Sequence, residues 1–196
     1  MCLPQGQGAT LPPQLAACSA ADCPAAAVEL GSAANLVNVI VEIANTGTAP
    51  LELIIPAGQT FVATTNLYQD GLAIERLQAT IAPGTTGRFV LRLFCTQASR
   101  SPSSTSARYA PGPITGNAQL LDIIALANGK LGGNDDPATV KSSVIQLAVW
   151  EVTDGRGALT AQQRNLLTTL LATSGDDILT QITLFEQFKD TLSHPF

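Results

Sequence analysis

The chain of 196 residues carries a formal net charge of −5, and only 13% of its residues are charged while 45% are hydrophobic. An acidic chain with few, scattered basic residues lacks the surface that nucleic-acid binding needs, and its aliphatic content excludes intrinsic disorder. No apolar run approaches the roughly 18 residues of a membrane-spanning helix, so we expect one globular domain, or two small ones, without a transmembrane span.

The first 26 residues are rich in proline, glycine and alanine and lack a hydrophobic period, which predicts an irregular N-terminal arm over residues 1–26. Cys18 and Cys23 enclose only four residues and have no second ligand pair for zinc, so a short disulfide is the favoured interpretation. A disulfide predicts an extracytoplasmic protein, secreted or bound to the cell surface, whereas free thiols would suit a cytosolic one. Cys2 directly follows Met1, which suggests a lipid anchor at Cys2 as a further hypothesis.

From residue 27 to residue 98 the hydrophobic period is two, as in β-strands with one buried face. Strands are predicted over residues 37–44, 51–55, 59–63, 72–81 and 88–96. Turn signals rich in glycine and proline separate these strands at short intervals. This spacing predicts an antiparallel β-sandwich over residues 27–98.

The composition changes after Cys95, where serine, arginine, proline and glycine predict a loop or linker over residues 99–115. The period then becomes helical over residues 117–128, 136–153, 160–173 and 176–195. Thr160 and Gln163 have the spacing of a capping box at the start of the third helix. The predicted fold class is therefore α+β: an N-terminal antiparallel β-sandwich and a C-terminal helical subdomain of about four helices over residues 116–196, packed as one unit.

Most motifs that carry chemistry are missing from the sequence. The single histidine, His194, lies beside Pro195 and excludes the two-histidine zinc motifs. Asn134-Asp135-Asp136 lacks the spaced carboxylates of a calcium loop and is better explained as a helix cap. No carboxylate pair, nucleophile–base pair or phosphate-binding loop stands out, so we predict no metal site, no cofactor and no enzyme activity.

Two positions are harder to explain by packing alone. Leu91, Leu93 and Cys95 share one face of the last predicted strand, which puts Cys95 inward at the end of a core strand. Gln146 lies in the otherwise apolar helical segment 144–150, where a carboxamide costs a few kcal/mol unless its polar atoms are hydrogen-bonded. A buried inert thiol and a structural glutamine satisfied by backbone or water are the plain alternatives.

Leu93-Phe94-Cys95-Thr96 and the downstream block Ile145-Gln146-Leu147-Ala148-Val149-Trp150 together resemble the bacterial thioester domains of surface adhesins. In that family an aromatic or aliphatic residue precedes a cysteine, and a glutamine opens a Gln-x-Ala-hydrophobic-Trp block. The resemblance covers about residues 88–155 and has two departures. Only fifty residues separate Cys95 from Gln146, and Phe94 stands where the family usually has tyrosine.

The resemblance implies a covalent thioester between Cys95 and Gln146, formed when the thiolate attacks the side-chain carbonyl and ammonia leaves. An amine on a surface protein or polymer would then attack, and a stable amide would join the two partners without turnover. Such a bond survives only where water is held off, and Trp150, one turn from Gln146, would shield it. The sequence does not choose between Glu151 and Asp154 as groups that assist proton transfer.

A non-covalent structural or interaction subunit of a bacterial cell-envelope complex, without a reactive bond, is the competing hypothesis. Cysteine pairing separates the two functions, because a disulfide between Cys2 and Cys95 would exclude the thioester and tie the N-terminal arm to the strands. A lipidated Cys2 would leave Cys95 free.

Overall fold

The computed structural model of the chain describes residues 14–32, 36–131 and 140–193. A strand-rich N-terminal part is followed by C-terminal helices. The strands are β1 (Leu15–Cys18), β2 (Val28–Leu30), β3 (Val37–Ala44), β4 (Leu51–Ile55), β5 (Gln59–Ala63), β6 (Gly71–Leu72), β7 (Leu77–Ile81), β8 (Thr86–Cys95) and β9 (Arg108–Ile114). The helices are α1 (Ala118–Ala127), α2 (Val140–Glu151), α3 (Ala161–Ala172) and α4 (Ile178–Asp190), and a π-helical turn, Val152–Arg156, continues α2.

The strands form a closed barrel, so the predicted β-sandwich is wrong. Antiparallel pairing runs in the order β8-β3-β1-β9-β5-β6, and β6 pairs again with β8, which closes the ring. β2 adds to β8 as a parallel strand outside the ring, and β4 and β7 form a separate two-stranded sheet. Closure pairs both edges of the ring, which a sandwich would have left open.

The two strands that complete the ring lie where the sequence predicts an irregular arm and a loop. β1 links β3 to β9, and β9 links β1 to β5. The β9 sequence contains Pro111 and Pro113, and its pairing with β5 shifts register between Gln59 and Phe61, the kind of irregularity at which a strand tolerates proline. Buried Leu15 and Tyr109 nevertheless anchor β1 and β9 in the barrel core.

Two apolar clusters hold the molecule together, and β8 contributes to both because successive side chains of a strand point to opposite faces. The barrel cluster fills the ring with Phe89, Leu91, Leu93 and Cys95 from β8, together with side chains from the other strands. The second cluster lies between the outside of the barrel and the helices, and Phe94 of β8 belongs to it.

The helix ends follow the signals in the sequence. Asn117 caps α1 through its side chain and Asp177 caps α4. The predicted capping box between Thr160 and Gln163 is present at the start of α3. None of the helices in the described ranges is both long enough and apolar enough to cross a bilayer.

Candidate functional site

Cys95 lies at the C-terminal end of β8, where the strand loses one of its two neighbours. β3 pairs with β8 only as far as Val37, opposite Leu93, so Cys95 lies two residues beyond that ladder. On the other edge β6 still pairs, with Gly71 opposite Cys95. The N–H and C=O groups of Cys95 therefore need partners from elsewhere, because buried backbone groups are costly when left unpaired.

Gln146 of α2 supplies both partners. Its side-chain Nε2 donates to the carbonyl oxygen of Cys95 at 2.8 Å, and its Oε1 accepts from the N–H of Cys95 at 2.9 Å. The carboxamide thus takes the place of the missing strand, and Gln146 is only 3% exposed. The structure brings together the two residues that the sequence analysis singled out, in direct contact across 51 positions of sequence.

The thiol of Cys95 is free and fully buried. Burial raises the pKa of the Cys95 thiol well above its ordinary value, so the group is protonated at neutral pH. Burial also raises the pKa of Tyr109, and the negative charge of the Asp70 carboxylate adds to that rise. The Tyr109 hydroxyl donates to the carbonyl oxygen of Gln69 at 3.0 Å, so this end of the barrel interior contains polar groups that are buried and bonded to each other.

Trp150 lies one turn after Gln146 on α2 and packs against the barrel cluster. Its neighbours Val149 and Val152 pack instead in the cluster between barrel and helices. Gln146 and Trp150 are four residues apart and therefore lie on the same face of α2, the one turned toward the barrel.

The two carboxylates that the sequence could not separate have different surroundings. Glu151 is buried, and its Oε1 accepts from Ser193 at 2.7 Å and from Gln163 at 3.4 Å, on the side of α3. Asp154 lies in the π-helical turn, and its Oδ2 accepts from the N–H of Ala98 at 3.3 Å. Asp154 is thus the one that reaches the segment following Cys95.

The polar groups on the β6 side of Cys95 gave no signal in the sequence beyond a turn at Asp70-Gly71. The carboxylate of Asp70 accepts from the N–H of Ala63 at 2.8 Å and from the side chain of Gln97 at 2.9 Å. Arg100 lies 3.7 Å from the same carboxylate. These contacts tie the loop after β8 to the ends of β5 and β6, and no local motif announces them because the partners are distant in sequence.

Cys18 and Cys23 are joined by a disulfide, as predicted. Ser103 links this bridge to the barrel, because its hydroxyl donates to the carbonyl oxygen of Cys18 at 2.7 Å and accepts from the N–H of Asn38 at 2.9 Å. No cluster of metal-ligating side chains occurs within residues 14–32, 36–131 and 140–193. Cys2, His194 and the segment 134–136 lie outside the described residues.

In comparisons with known proteins, no family model, no curated protein and no solved structure matches this chain. The likeness to thioester domains therefore stands on the residues themselves.

Proposed function

We propose that the chain is a surface attachment module in which Cys95 and Gln146 form a thioester that couples to an amine on a partner. The observation that carries the proposal is the double hydrogen bond between the Gln146 carboxamide and the main chain of Cys95. It holds the carbon that would be attacked beside the residue whose sulfur would attack it. Residues that are held together in this way react more readily than residues that must first meet by diffusion of the chain.

The same two hydrogen bonds support the chemistry of bond formation. The N–H of Cys95 donates to Oε1, the atom on which negative charge develops when sulfur adds to the carbonyl carbon. The new C–S bond forms as the C–Nε2 bond breaks, and the thiol proton leaves with the nitrogen as ammonia. Nε2 donates to the carbonyl oxygen of Cys95, so that oxygen positions the nitrogen until it leaves as ammonia.

Coupling to the partner reverses the roles of these groups. A neutral amine donates its lone pair to the acyl carbon of residue 146, the C–S bond breaks, and the sulfur of Cys95 takes the proton that the nitrogen gives up. The product is an amide and a free thiol. Burial of both residues and the packing of Trp150 against the barrel would slow the competing attack by water. The module reacts once, so it is not an enzyme.

The disulfide between Cys18 and Cys23 supports a location outside the cytoplasm, because such bonds persist in oxidising compartments. A secreted or cell-surface protein, anchored by a lipid at Cys2 or by other means, is the setting that we propose. An amine-bearing surface protein or polymer is then the partner.

The second candidate is a non-covalent interaction subunit of a cell-envelope complex. One observation favours it: both polar atoms of Gln146 are already hydrogen-bonded without a covalent link. In that function Gln146 only clamps α2 to the end of the barrel.

Intact-mass measurement of the purified protein distinguishes the two candidates. With the two hydrogens lost in the Cys18–Cys23 disulfide subtracted from the sequence mass, we expect the wild-type chain to weigh one ammonia less than that mass, and methylamine to add to it while making Cys95 alkylatable. The Cys95→Ala and Gln146→Leu variants should have the full sequence mass. The matched control is Gln163→Leu, which removes another buried carboxamide and should retain the deficit. A wild-type protein of full mass, with Cys95 alkylated after unfolding, would establish the clamp instead.

A further inference from the structure

Three carboxylates lie around the Cys95–Gln146 pair, and two of them are already committed to partners. Glu151 accepts from Ser193 and Gln163 on the side of the helices, away from Cys95. Asp70 is neutralised by Arg100 at 3.7 Å, and its two oxygens also accept hydrogen bonds from the main chain of residue 63 and the side chain of residue 97. Glu151 is buried and Asp70 is paired with a cation, so neither carboxylate presents an exposed, unpaired charge to an approaching molecule.

Asp154 differs from both. Its one hydrogen bond is the 3.3 Å contact with the N–H of Ala98, and within the described ranges it takes part in no ion pair. Asp154 and Ala98 are partly exposed, whereas Cys95 and Gln146 are buried. The carboxylate therefore lies on the solvent side of the pair, at the contact between the π-helical turn and the loop that leaves β8.

The spacing decides what this charge can do. Asp154 follows Gln146 by eight residues, which is about 12 Å along a helix at 1.5 Å per residue, less the reach of the side chains. The two backbone positions are about two turns apart, which places Asp154 beside the reacting carbon rather than at it. An attacking nitrogen must also be neutral, because an ammonium group has no lone pair to donate. Asp154 can instead attract a second positive charge carried several ångströms from the attacking amine.

We propose that Asp154 is an anchoring residue for the acceptor, which it selects by a second positive charge beside the attacking amine. This inference rests on the proposed thioester. The acceptor that fits is a basic peptide segment, in which a lysine that attacks residue 146 has another lysine or an arginine as a close neighbour. The net charge of −5 on the whole chain favours the approach of such a segment.

A pair of amines of equal chain length tests the proposal. Putrescine carries a second ammonium group and n-butylamine does not. Because that ammonium group also lowers the pKa of the attacking amine, each rate of addition to the mass-deficient protein is divided by the concentration of neutral amine, and the ratio of the two rates then isolates the effect of the second charge. After correction for its two equivalent amines, we expect putrescine to react about two- to fivefold faster at low ionic strength. The preference should fade in 1 M salt, where the screening length falls to about 3 Å. Equal rates at low salt would overturn the proposal.

Substitution assigns the effect to one residue. Asp154→Asn retains an oxygen for the N–H of Ala98 but removes the charge, so the ratio of the putrescine rate to the butylamine rate should fall to about one. Asp190→Asn, which removes an exposed carboxylate at the end of α4, should retain the wild-type ratio. A preference that survives in Asp154→Asn, or that disappears equally in Asp190→Asn, excludes Asp154 as the anchor.

Two peptides separate a protein acceptor from a small diamine. Each contains one lysine, flanked by arginine in the first peptide and by glutamine in the second. The arginine peptide should couple faster to the wild-type protein, and the two should couple equally to Asp154→Asn. Equal coupling to the wild type would restrict the preference to diamines and overturn the peptide acceptor. A wild-type protein without the ammonia deficit would refute the thioester itself, and with it this inference, so the two failures are distinguishable.

Discussion

The end of the barrel and the helical part each bury a glutamine, and the two residues are held in different ways. Gln163 closes a capping box: its Oε1 accepts from the N–H of Thr160 at 2.8 Å, and its Nε2 donates to the carbonyl oxygen of Thr191 at 3.0 Å. These partners lie at helix ends, near the surface. Gln146 has no partner nearby in the sequence, and both polar atoms of its carboxamide bond the main chain of Cys95 in the interior.

This contrast teaches that burial alone does not identify a functional glutamine. Gln163 is even less exposed than Gln146, at 1% against 3%, yet its helix cap and its contacts with Thr191 and Glu151 explain it. Gln146 bonds the main-chain groups of Cys95 that the end of the β3 ladder leaves without partners. Cys95 is also the one free cysteine of the described chain. The partner, rather than the burial, makes Gln146 the candidate for chemistry.

The largest stability effect that we expect in this comparison comes from Gln146→Leu. Measured in the Cys95→Ala background, where no thioester can form, this change leaves the N–H and C=O of residue 95 buried without partners. Each of the two unsatisfied buried groups costs about 1–3 kcal/mol, so the free energy of unfolding should fall by about 2–6 kcal/mol. Urea denaturation followed by circular dichroism measures it. A loss below about 1 kcal/mol would mean that water or a neighbouring group replaces the carboxamide.

Gln163→Leu in the same background should cost less, about 1–2 kcal/mol, although it also removes a buried carboxamide. Its main-chain partners, in Thr160 and Thr191, are at the ends of helices, where water can reach the freed backbone groups. Its third partner, Glu151, keeps the shorter hydrogen bond from Ser193. The same denaturation experiment gives the comparison directly. An equal or larger loss than for Gln146→Leu would show that the helical part, rather than the barrel end, depends more on its buried amide.

Local features of this fold could be predicted from the sequence, and the ring closure could not. The alternation in β3 and β8, the capping box and the disulfide all depend on residues close together in the chain. β1 and β9 escaped prediction because Leu-Ala-Ala-Cys has little strand character and Arg108–Ile114 contains two prolines. Their strand structure comes from pairing with each other and with β3 and β5, which is a non-local effect.

The same distinction between local and non-local features applies to the candidate site. The sequence could single out Cys95 and Gln146 as residues that need an explanation, because each is an unusual residue type within an apolar pattern. It could not reveal that the end of the β3 ladder leaves Cys95 without a strand partner on that side, or that Glu151 turns toward Ser193 while Asp154 turns toward Ala98. Those distinctions depend on which distant segments the barrel and the π-helical turn bring together.

The smallest effect in the comparison should come from Thr160→Ala, which removes half of the capping box but leaves Gln163 bonded to Thr191. Loss of an N-cap hydroxyl typically costs about 1 kcal/mol, and Thr160→Ser, which keeps the hydroxyl, should be nearly neutral. In a double-mutant cycle Thr160 and Gln163 should be coupled by about 0.5 kcal/mol or more, because each side chain bonds the main chain of the other residue and both bonds hold the same first turn of α3. Thr160 and Gln146 share no partner and should be additive, because the cap and the barrel end are independent sites. Coupling between Thr160 and Gln146 as strong as that within the box would contradict the separation of the two sites.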